Sequence, residues 1–173
     1  MPEGELRRGR IVVRKDEAEE IISKGFGEKK RKYLELSPLE ALYLVYAQKL
    51  TLKEKGRRIE FDQLMEALTT KDQDTFPRFL VYRDLRSRGY VVKQGYGEKI
   101  DFLVYERGEY PSKPAKYRVI GVDEGHSIDI LKLIDLLRFS TMSKKELKIA
   151  VIERRGEVVY YSLKKFTGRL TVK

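Results

Sequence analysis

The pattern of apolar residues changes near residue 88, and this change limits the folds that the chain can adopt. Before residue 88, apolar residues recur mainly at helical spacing, and residues 37–40 (SPLE) are typical of a capped helix start. After it, short apolar and β-branched runs predict a sheet with one packed helix. We therefore predict an α+β domain at 1–88 and an α/β domain with a mixed β-sheet at 89–173.

The first domain is predicted to contain two strands and four helices. The strands are placed at 10–14 and 33–36, and the helices at 16–23, 37–50, 61–70 and 76–89. The polar run 51–58 (TLKEKGRR) is predicted to be exposed. In the last helix, the predicted buried face consists of Phe79, Leu80, Tyr82 and Leu85.

The second domain is predicted to contain two hairpins, one further strand and one helix. The strands are placed at 90–94, 100–106, 117–122, 147–153 and 157–163. The first two pair across a turn at 95–99, and the last two pair across a short charged loop. The helix at 128–139 has a predicted apolar face made of Ile130, Leu131, Ile134 and Leu137.

Composition excludes several classes of protein. The 173 residues include no Cys, which excludes disulfides, thiolate zinc sites, iron–sulfur clusters and cysteine nucleophiles. No apolar run approaches the ~20 residues of a membrane span, and the start of the chain lacks the apolar core of a signal peptide. The formal net charge of +10 favours an anionic partner. We expect a cytoplasmic protein without a membrane, metal or cofactor, with a Lys- and Glu-rich composition typical of a thermophile.

Two kinds of catalytic site can be considered from the residues alone. His126 is the single histidine and could act as a general acid or base, but a polar residue in a turn is the simpler interpretation. Asp101 and the E-x-K run at 146–148 could hold Mg²⁺ and a phosphate, but a solvated strand end and a surface charge pair are the favoured interpretation.

A third interpretation is an RNA-binding surface. Tyrosine rings can stack on unpaired bases, and lysine and arginine can meet phosphates. The chain has 11 Tyr and 7 Phe interleaved with basic residues. In the second half the basic residues are Lys113, Lys116, Arg118, Arg138, Lys144, Lys145 and Lys148.

Three runs in the second half resemble a known family. Residues 101–108 (DFLVYERG), 116–122 (KYRVIGV) and 136–161 (LLRFSTMSKKELKIAVIERRGEVVYY) resemble the catalytic domain of the archaeal tRNA-splicing (tRNA-intron) endonucleases. The helical first half, leading into 83–95 (RDLRSRGYVVKQG), is similar to that family's N-terminal domain and domain junction. The resemblance implies a restriction-endonuclease-like second domain that cuts precursor tRNA at bulge-helix-bulge sites without a metal.

The family's active site consists of a Tyr, a His and a Lys, and two of these residue types are matched here. The Tyr falls on Tyr105 and the Lys falls on Lys145. The place of the His, in an H-(A/S)-x-Y-like setting, is held by Pro114, three residues before Tyr117. Proline cannot donate a proton, and His126 lies 12 residues beyond that place. The resemblance therefore implies a chain that has lost the general acid.

The resemblance also implies surfaces for RNA and for a second chain. Arg138 falls where the family has an Arg that clamps a bulged base, and Lys116, Lys144 and Lys145 are predicted to contact RNA with it. The family assembles through an acidic loop in the last hairpin and through terminal strands. The predicted interface residues are Glu153, Glu157, Val158, Val159, Tyr160 and Tyr161.

These residues predict a non-catalytic, structural subunit of a heteromeric tRNA-splicing endonuclease. Its partners would be a homologous catalytic chain, in an α2β2 heterotetramer, and precursor tRNA. Two alternatives are kept. One is a self-sufficient, metal-independent endonuclease in which His126 is the acid, and the other is an RNA-binding adaptor without a nuclease partner.

Overall fold

The computed structural model describes residues 1–97, 101–166 and 168 and contains two β-sheets. The start of the predicted strand 100–106, part of the predicted turn 95–99 and most of the end of the predicted second domain lie outside the described residues. Among the described residues, no helix is both long and apolar enough to cross a membrane.

The first sheet has six strands and builds most of the N-terminal domain. Its strand order is β3-β4-β2-β1-β5-β6, in which β1 and β5 are parallel and the other pairs are antiparallel. The strands are β1 (Glu3–Arg7), β2 (Arg10–Arg14), β3 (Glu28–Lys29), β4 (Tyr33–Leu36), β5 (Thr51–Glu54) and β6 (Arg57–Ile59). The helices of this domain are α1 (Glu19–Ser23), α2 (Pro38–Tyr46) and α3 (Phe61–Thr69).

The predicted strands at 10–14 and 33–36 are confirmed, and the run 51–58 is exposed over most of its length as predicted, but its strands were not predicted. It forms the β5–β6 hairpin, which adds two strands to the sheet. Leu52 is the one buried residue of this hairpin. Because the other positions are polar or partly exposed, the sequence lacks the alternation of apolar and polar residues that predicts a strand. The helix predicted at 16–23 also starts later, because residues Lys15–Glu17 form a 3₁₀ turn before α1.

The capping box predicted at 37–40 is present and also connects the two domains. Glu40 N donates to Ser37 Oγ at 3.3 Å, and Ser37 N donates to Glu40 Oε2 at 2.9 Å. The other carboxylate oxygen of this buried Glu40 accepts from Lys93 Nζ at 2.9 Å and from Gly27 N at 3.0 Å. One side chain therefore caps α2 and holds a lysine of the second sheet.

The second sheet has five strands in the order β11-β10-β9-β8-β7. β9 and β10 are parallel and the other pairs are antiparallel, so the predicted mixed sheet is confirmed. The strands are β7 (Val91–Gln94), β8 (Asp101–Tyr105), β9 (Tyr117–Asp123), β10 (Glu146–Ile152) and β11 (Val158–Leu163). Helix α5 (Ile130–Met142) lies in the connection between the parallel strands β9 and β10, because parallel neighbours need a crossover.

Helix α4 (Thr75–Ser87) packs against both α2 and the second sheet. Its predicted buried face is confirmed, because Phe79 and Tyr82 are 2% exposed and the two leucines of that face are also buried. Tyr82 lies against Phe102 of β8, with ring centroids 6.0 Å apart. Because α4 belongs to one core shared by both halves, the boundary near residue 88 stays a prediction.

The predicted apolar face of α5 is wrong. Ile130 and Leu131 are 65% and 68% exposed, and Ile134 is also exposed. The helix instead packs on β10 through the side that carries Ser140, which is buried, and the half-buried Leu137. Lys132, Asp135 and Arg138 mark the polar side of this helix, and the packed residues lie opposite them, but the prediction chose Ile130 and Leu131, apolar residues that lie outside the packed side.

Candidate functional site

Three strands of the second sheet bring the predicted site residues to one end. In the ladder, Val104 of β8 pairs with Tyr117 of β9, which pairs with Glu146 of β10. The next row outward therefore contains Tyr105, Lys116 and Lys145, and we call these three residues the site end. Lys116 N donates to Val104 O at 3.0 Å, and Glu146 N donates to Lys116 O at 2.9 Å. Strands lie ~4.8 Å apart, so the backbones of Tyr105 and Lys145 are about 10 Å apart.

Tyr105 is half-buried at the end of β8 and lines the cleft between the domains. Its ring contacts Tyr110 edge to face, with centroids 4.9 Å apart. Burial raises the pKa of Tyr105 above its ordinary value, and the neighbouring phenols of Tyr110 and Tyr96 add to this shift. The raised pKa favours the protonated form of this phenol.

Lys145 is placed by the end of α5. Ser143 closes the helix, Lys144 adopts a left-handed backbone with φ 54°, and Lys145 N donates to Ser140 O at 2.8 Å. Lys145 is half-buried, and its Nζ donates to Ser143 O at 3.1 Å. Lys144 is exposed. The turn thus fixes one ammonium group at the site end and leaves a second on the surface.

A carboxylate that sequence reasoning missed lies beside the site end. Glu106 Oε2 accepts from Lys116 Nζ at 3.0 Å and from the Tyr117 hydroxyl at 2.9 Å. The bond from Lys116, and then that from Tyr117, holds the pKa of Glu106 below its usual value. The antiparallel pairing of 101–105 with 117–120 brings the residue just after β8 next to the start of β9. This strand pairing would have identified Glu106 as a neighbour of Lys116 and Tyr117.

Pro114, the residue predicted to hold the place of the family's histidine, has no side-chain proton to donate. Pro114 lies exposed in the loop before β9. His126 lies just beyond the opposite end of β9, where its N donates to Asp123 O at 3.2 Å. Seven strand residues at ~3.3 Å each separate the two ends by about 20 Å. Within one chain, His126 therefore cannot act on a group held by Tyr105 and Lys145.

The magnesium hypothesis does not fit the geometry. Asp101 is fully buried and accepts from Arg118 Nε at 3.0 Å, Arg118 Nη2 at 2.7 Å and Gly97 N at 2.6 Å. Glu146 pairs with Lys148 at 3.1 Å and lies three rows away along β9. Residues 1–97, 101–166 and 168 contain no group of three or more acidic or histidine side chains placed to hold a metal.

The predicted RNA contacts on α5 are accessible. The side chain of Arg138 is 76% exposed, and its nearest acid, Asp135, is 3.7 Å away. Arg118 differs from the other basic residues because its side chain is buried against Asp101 and lies 4.9 Å from the Phe139 ring. Arg118 therefore links α5 to the sheet, and its buried side chain is not accessible to RNA.

The predicted interface residues lie on the last hairpin, whose strand β11 is an edge of the sheet. Glu153 N donates to Glu157 O at 2.9 Å across the turn. Tyr160 faces α4 and donates its hydroxyl to Asp84 at 2.8 Å, whereas Tyr161 is 58% exposed on the other face. Val158 and Val159 are half-buried. These placements describe the hairpin, and the contact with a second chain stays a prediction.

The fold and the site end define the class of protein: a small α+β domain joined to a mixed-sheet domain that gathers a tyrosine and a lysine at one end. Family comparison makes the class specific. The model described as tRNA intron endonuclease, N-terminal domain, matches residues 2–65. The model described as tRNA intron endonuclease, catalytic C-terminal domain, matches residues 76–160. This chain belongs to the tRNA intron endonuclease family.

Similar proteins support the same assignment. The tRNA-splicing endonuclease of Methanococcus vannielii is 34% identical over 154 residues, which are 88% of this chain and 87% of that protein. That of Pyrococcus furiosus is 31% identical over 142 residues, which are 82% of each chain. That of Methanococcoides burtonii is 29% identical over 93% of this chain, but this chain spans only 46% of that protein.

Proposed function

We propose that this chain is a non-catalytic subunit of an endonuclease that removes introns from precursor tRNA at bulge-helix-bulge sites. Family membership supports the RNA-cleaving complex, since the relatives above are tRNA-splicing endonucleases. The observation that carries the non-catalytic role is Pro114, which stands where the chemistry needs an acid while His126 lies at the far end of the sheet.

Metal-free RNA cleavage needs three groups around one phosphate. A base takes the proton of the ribose 2′-hydroxyl, which attacks the phosphorus, an acid protonates the leaving 5′-oxygen, and a cation stabilises the added negative charge. The products are a 2′,3′-cyclic phosphate and a 5′-hydroxyl. Here Lys145 offers the cation and Tyr105 a hydroxyl, but Pro114 offers no proton. The cut is therefore assigned to the homologous partner chain.

Two surfaces support a partner of this kind. β11 is an edge strand, so its outer backbone groups can pair with another strand. The first turns of α5 expose Ile130, Leu131 and Ile134, which are neighbours on the helix surface, and a group of exposed apolar side chains favours a protein contact. We propose that a homologous chain covers these surfaces in an α2β2 assembly.

The RNA-holding role depends on the exposed cations of the second domain. Arg138 and Lys144 are accessible on α5 and at its end. Lys145 is fixed at the site end, where its ammonium still carries a positive charge for a phosphate. Lys116 forms an ion pair with Glu106, so its net contribution to RNA binding is expected to be the smallest of the four.

Reconstitution tests the proposal. The purified chain alone should leave intron-containing precursor tRNA uncut, and cleavage should appear when a homologous chain with His in the place of Pro114 is added. Cleavage by the lone chain would overturn the proposal in favour of a self-sufficient enzyme. RNA binding without any rate increase on mixing would favour an adaptor.

A further inference from the structure

Two hairpin turns of the N-terminal sheet lie side by side at one end. β1 and β5 are parallel neighbours, with Glu3 beside Thr51 and Glu5 beside Lys53. The turns that follow them, at 8–9 and 55–56, therefore project from the same end of the sheet. The turn at 30–32, which precedes β4, projects from the opposite end.

The turns place six basic side chains together, and we call this group the basic tip. All six are exposed. They are Arg7, Arg8, Arg10, Lys55, Arg57 and Arg58.

Half of these charges are available to a ligand. Glu5 pairs with Arg7, Glu35 lies 3.9 Å from Arg10 and Glu60 pairs with Arg58. In the described part of the chain, Arg8, Lys55 and Arg57 form no ion pair within 4.0 Å.

The backbone conformation of the two turns indicates that Arg8 and Lys55 do not serve the stability of the turns. Arg8 and Lys55 have φ 49° and 48°, and each precedes a glycine with positive φ. Such turns favour Asn or Asp before Gly, because their short side chains tolerate the left-handed region better than long ones do. Both turns lack the favoured Asn or Asp, and both carry a cationic residue, Arg8 or Lys55, in its place.

The basic tip adjoins two grooves. On one flank, Gly9 and Arg10 line the cleft of about 540 Å³ that also contains Tyr105 of the site end. On the other flank, Lys55, Arg57 and Arg58 line a groove of about 560 Å³ beside α3. The basic tip therefore borders the cleft that contains Tyr105 on one side and the groove beside α3 on the other.

We propose that the basic tip binds the phosphate backbone of precursor tRNA away from the cut site, and this inference rests on the proposed function. RNA is favoured over an acidic protein segment because the tip is continuous with the cleft of the site end. Arginine and lysine at exposed turns reach phosphates without reading base sequence. The tip therefore contributes affinity and positioning but no sequence preference.

The test compares two neutralised variants of the full-length chain. One is Arg8→Asn/Lys55→Asn/Arg57→Gln, in which Asn suits the left-handed positions. The matched control is Lys29→Gln/Arg31→Gln/Lys32→Gln, which removes the same charge at the opposite end of the sheet. Binding of an intron-containing precursor tRNA is measured from 50 to 300 mM salt, with thermal unfolding as a check on folding.

The tip variant should bind at least about tenfold more weakly than the control variant. Its slope of log affinity against log salt should fall by about 2–3, since each lost phosphate contact removes ~0.7–0.9. Equal binding by the two variants would overturn the inference. Unchanged RNA binding with lost association to the catalytic chain would overturn it too, in favour of a protein-binding surface.

A charge-reversed pair keeps the test decisive if the first tip variant is unstable. Arg57→Glu/Arg58→Glu should weaken RNA binding more than Arg31→Glu/Lys32→Glu does, and equal losses would count against the tip. The proposed function is judged separately, because reconstituted cleavage by the wild-type chains does not depend on the tip result. If the wild-type chain restores cleavage but the tip variant and the control variant bind RNA equally, only the inference about the tip is overturned.

Discussion

The two ends of β9 carry different parts of what a cleaving site needs. At the start of the strand, Tyr105 and Lys145 lie in one row with Lys116, but Pro114 supplies no proton. At the other end His126 has a proton to give, but it lies about 20 Å away along the strand. Under the proposed assignment, Tyr105 and Lys145 share one row of the sheet while Pro114 in the loop lacks a proton donor, so the two residues alone do not establish catalysis.

The buried ion pair between the two ends should produce the largest effect on stability. Asp101→Ala leaves Arg118 charged and buried without a partner, and such a loss costs about 3–5 kcal/mol. Denaturant unfolding should show this drop. The exposed Arg138→Ala variant is the control and should change the free energy of unfolding by less than about 0.5 kcal/mol. A small effect of Asp101→Ala would mean that the sheet tolerates disruption between its ends.

Restoring a proton donor at the site end should change activity next most strongly. Pro114→His places an imidazole in the loop before β9, and a general acid is worth about 10²–10⁴-fold in rate. We expect cleavage by the lone variant chain, or by its homo-oligomer, to rise by at least about 10²-fold over background. Pro114→Ala is the matched control and should remain inactive. No gain with Pro114→His would indicate that Tyr105 or Lys145 has also lost its catalytic placement.

The fold was more predictable than the site. The last hairpin, at 147–163, was found because β10 and β11 are apolar over most of their length. The hairpin at 51–59 was missed because only Leu52 is buried in it. The packed side of α5 was missed because exposed apolar residues such as Ile130 and Leu131 also lie outside it, although Lys132, Asp135 and Arg138 mark the polar side. Glu106 was missed because its role depends on pairing between strands. The resemblance pointed to Tyr105 and Lys145, and the spacing already placed His126 beyond the strand predicted at 117–122. The ladder adds that Tyr105 and Lys145 share one row.

The Tyr160 hydroxyl should give a smaller, pH-dependent effect on stability. Burial, and then the hydrogen bond to Asp84, raises the pKa of Tyr160 in the folded protein. The folded state thus holds this proton more tightly than the unfolded chain, whose tyrosine pKa is about 10. Its contribution, about 1 kcal/mol for the bond, is complete below pH 10 and is lost as the pH rises further.

Unfolding at two pH values measures this contribution. Tyr160→Phe should be about 1 kcal/mol less stable than wild type at pH 8, and the difference should shrink at pH 11. Tyr161→Phe, on the exposed face of the same strand, is the control and should match wild type at pH 8. A difference that grows with pH would contradict the direction of the pKa shift.

The smallest effect is expected at the far end of β9. In the reconstituted enzyme, His126→Ala should change the cleavage rate by less than about twofold, because this exposed side chain lies outside the site end. Single-turnover rates with intron-containing precursor tRNA measure it. A loss on the scale of general acid catalysis, about 10²-fold or more, would show that His126 reaches a phosphate in the assembly.

The most direct measurement is single-turnover incubation of the purified wild-type chain, without any partner, with end-labelled precursor tRNA. We predict that the RNA stays intact and that no fragment ending in a 2′,3′-cyclic phosphate accumulates. Release of the intron by this chain alone, in a preparation whose activity disappears with Lys145→Ala, would contradict the account.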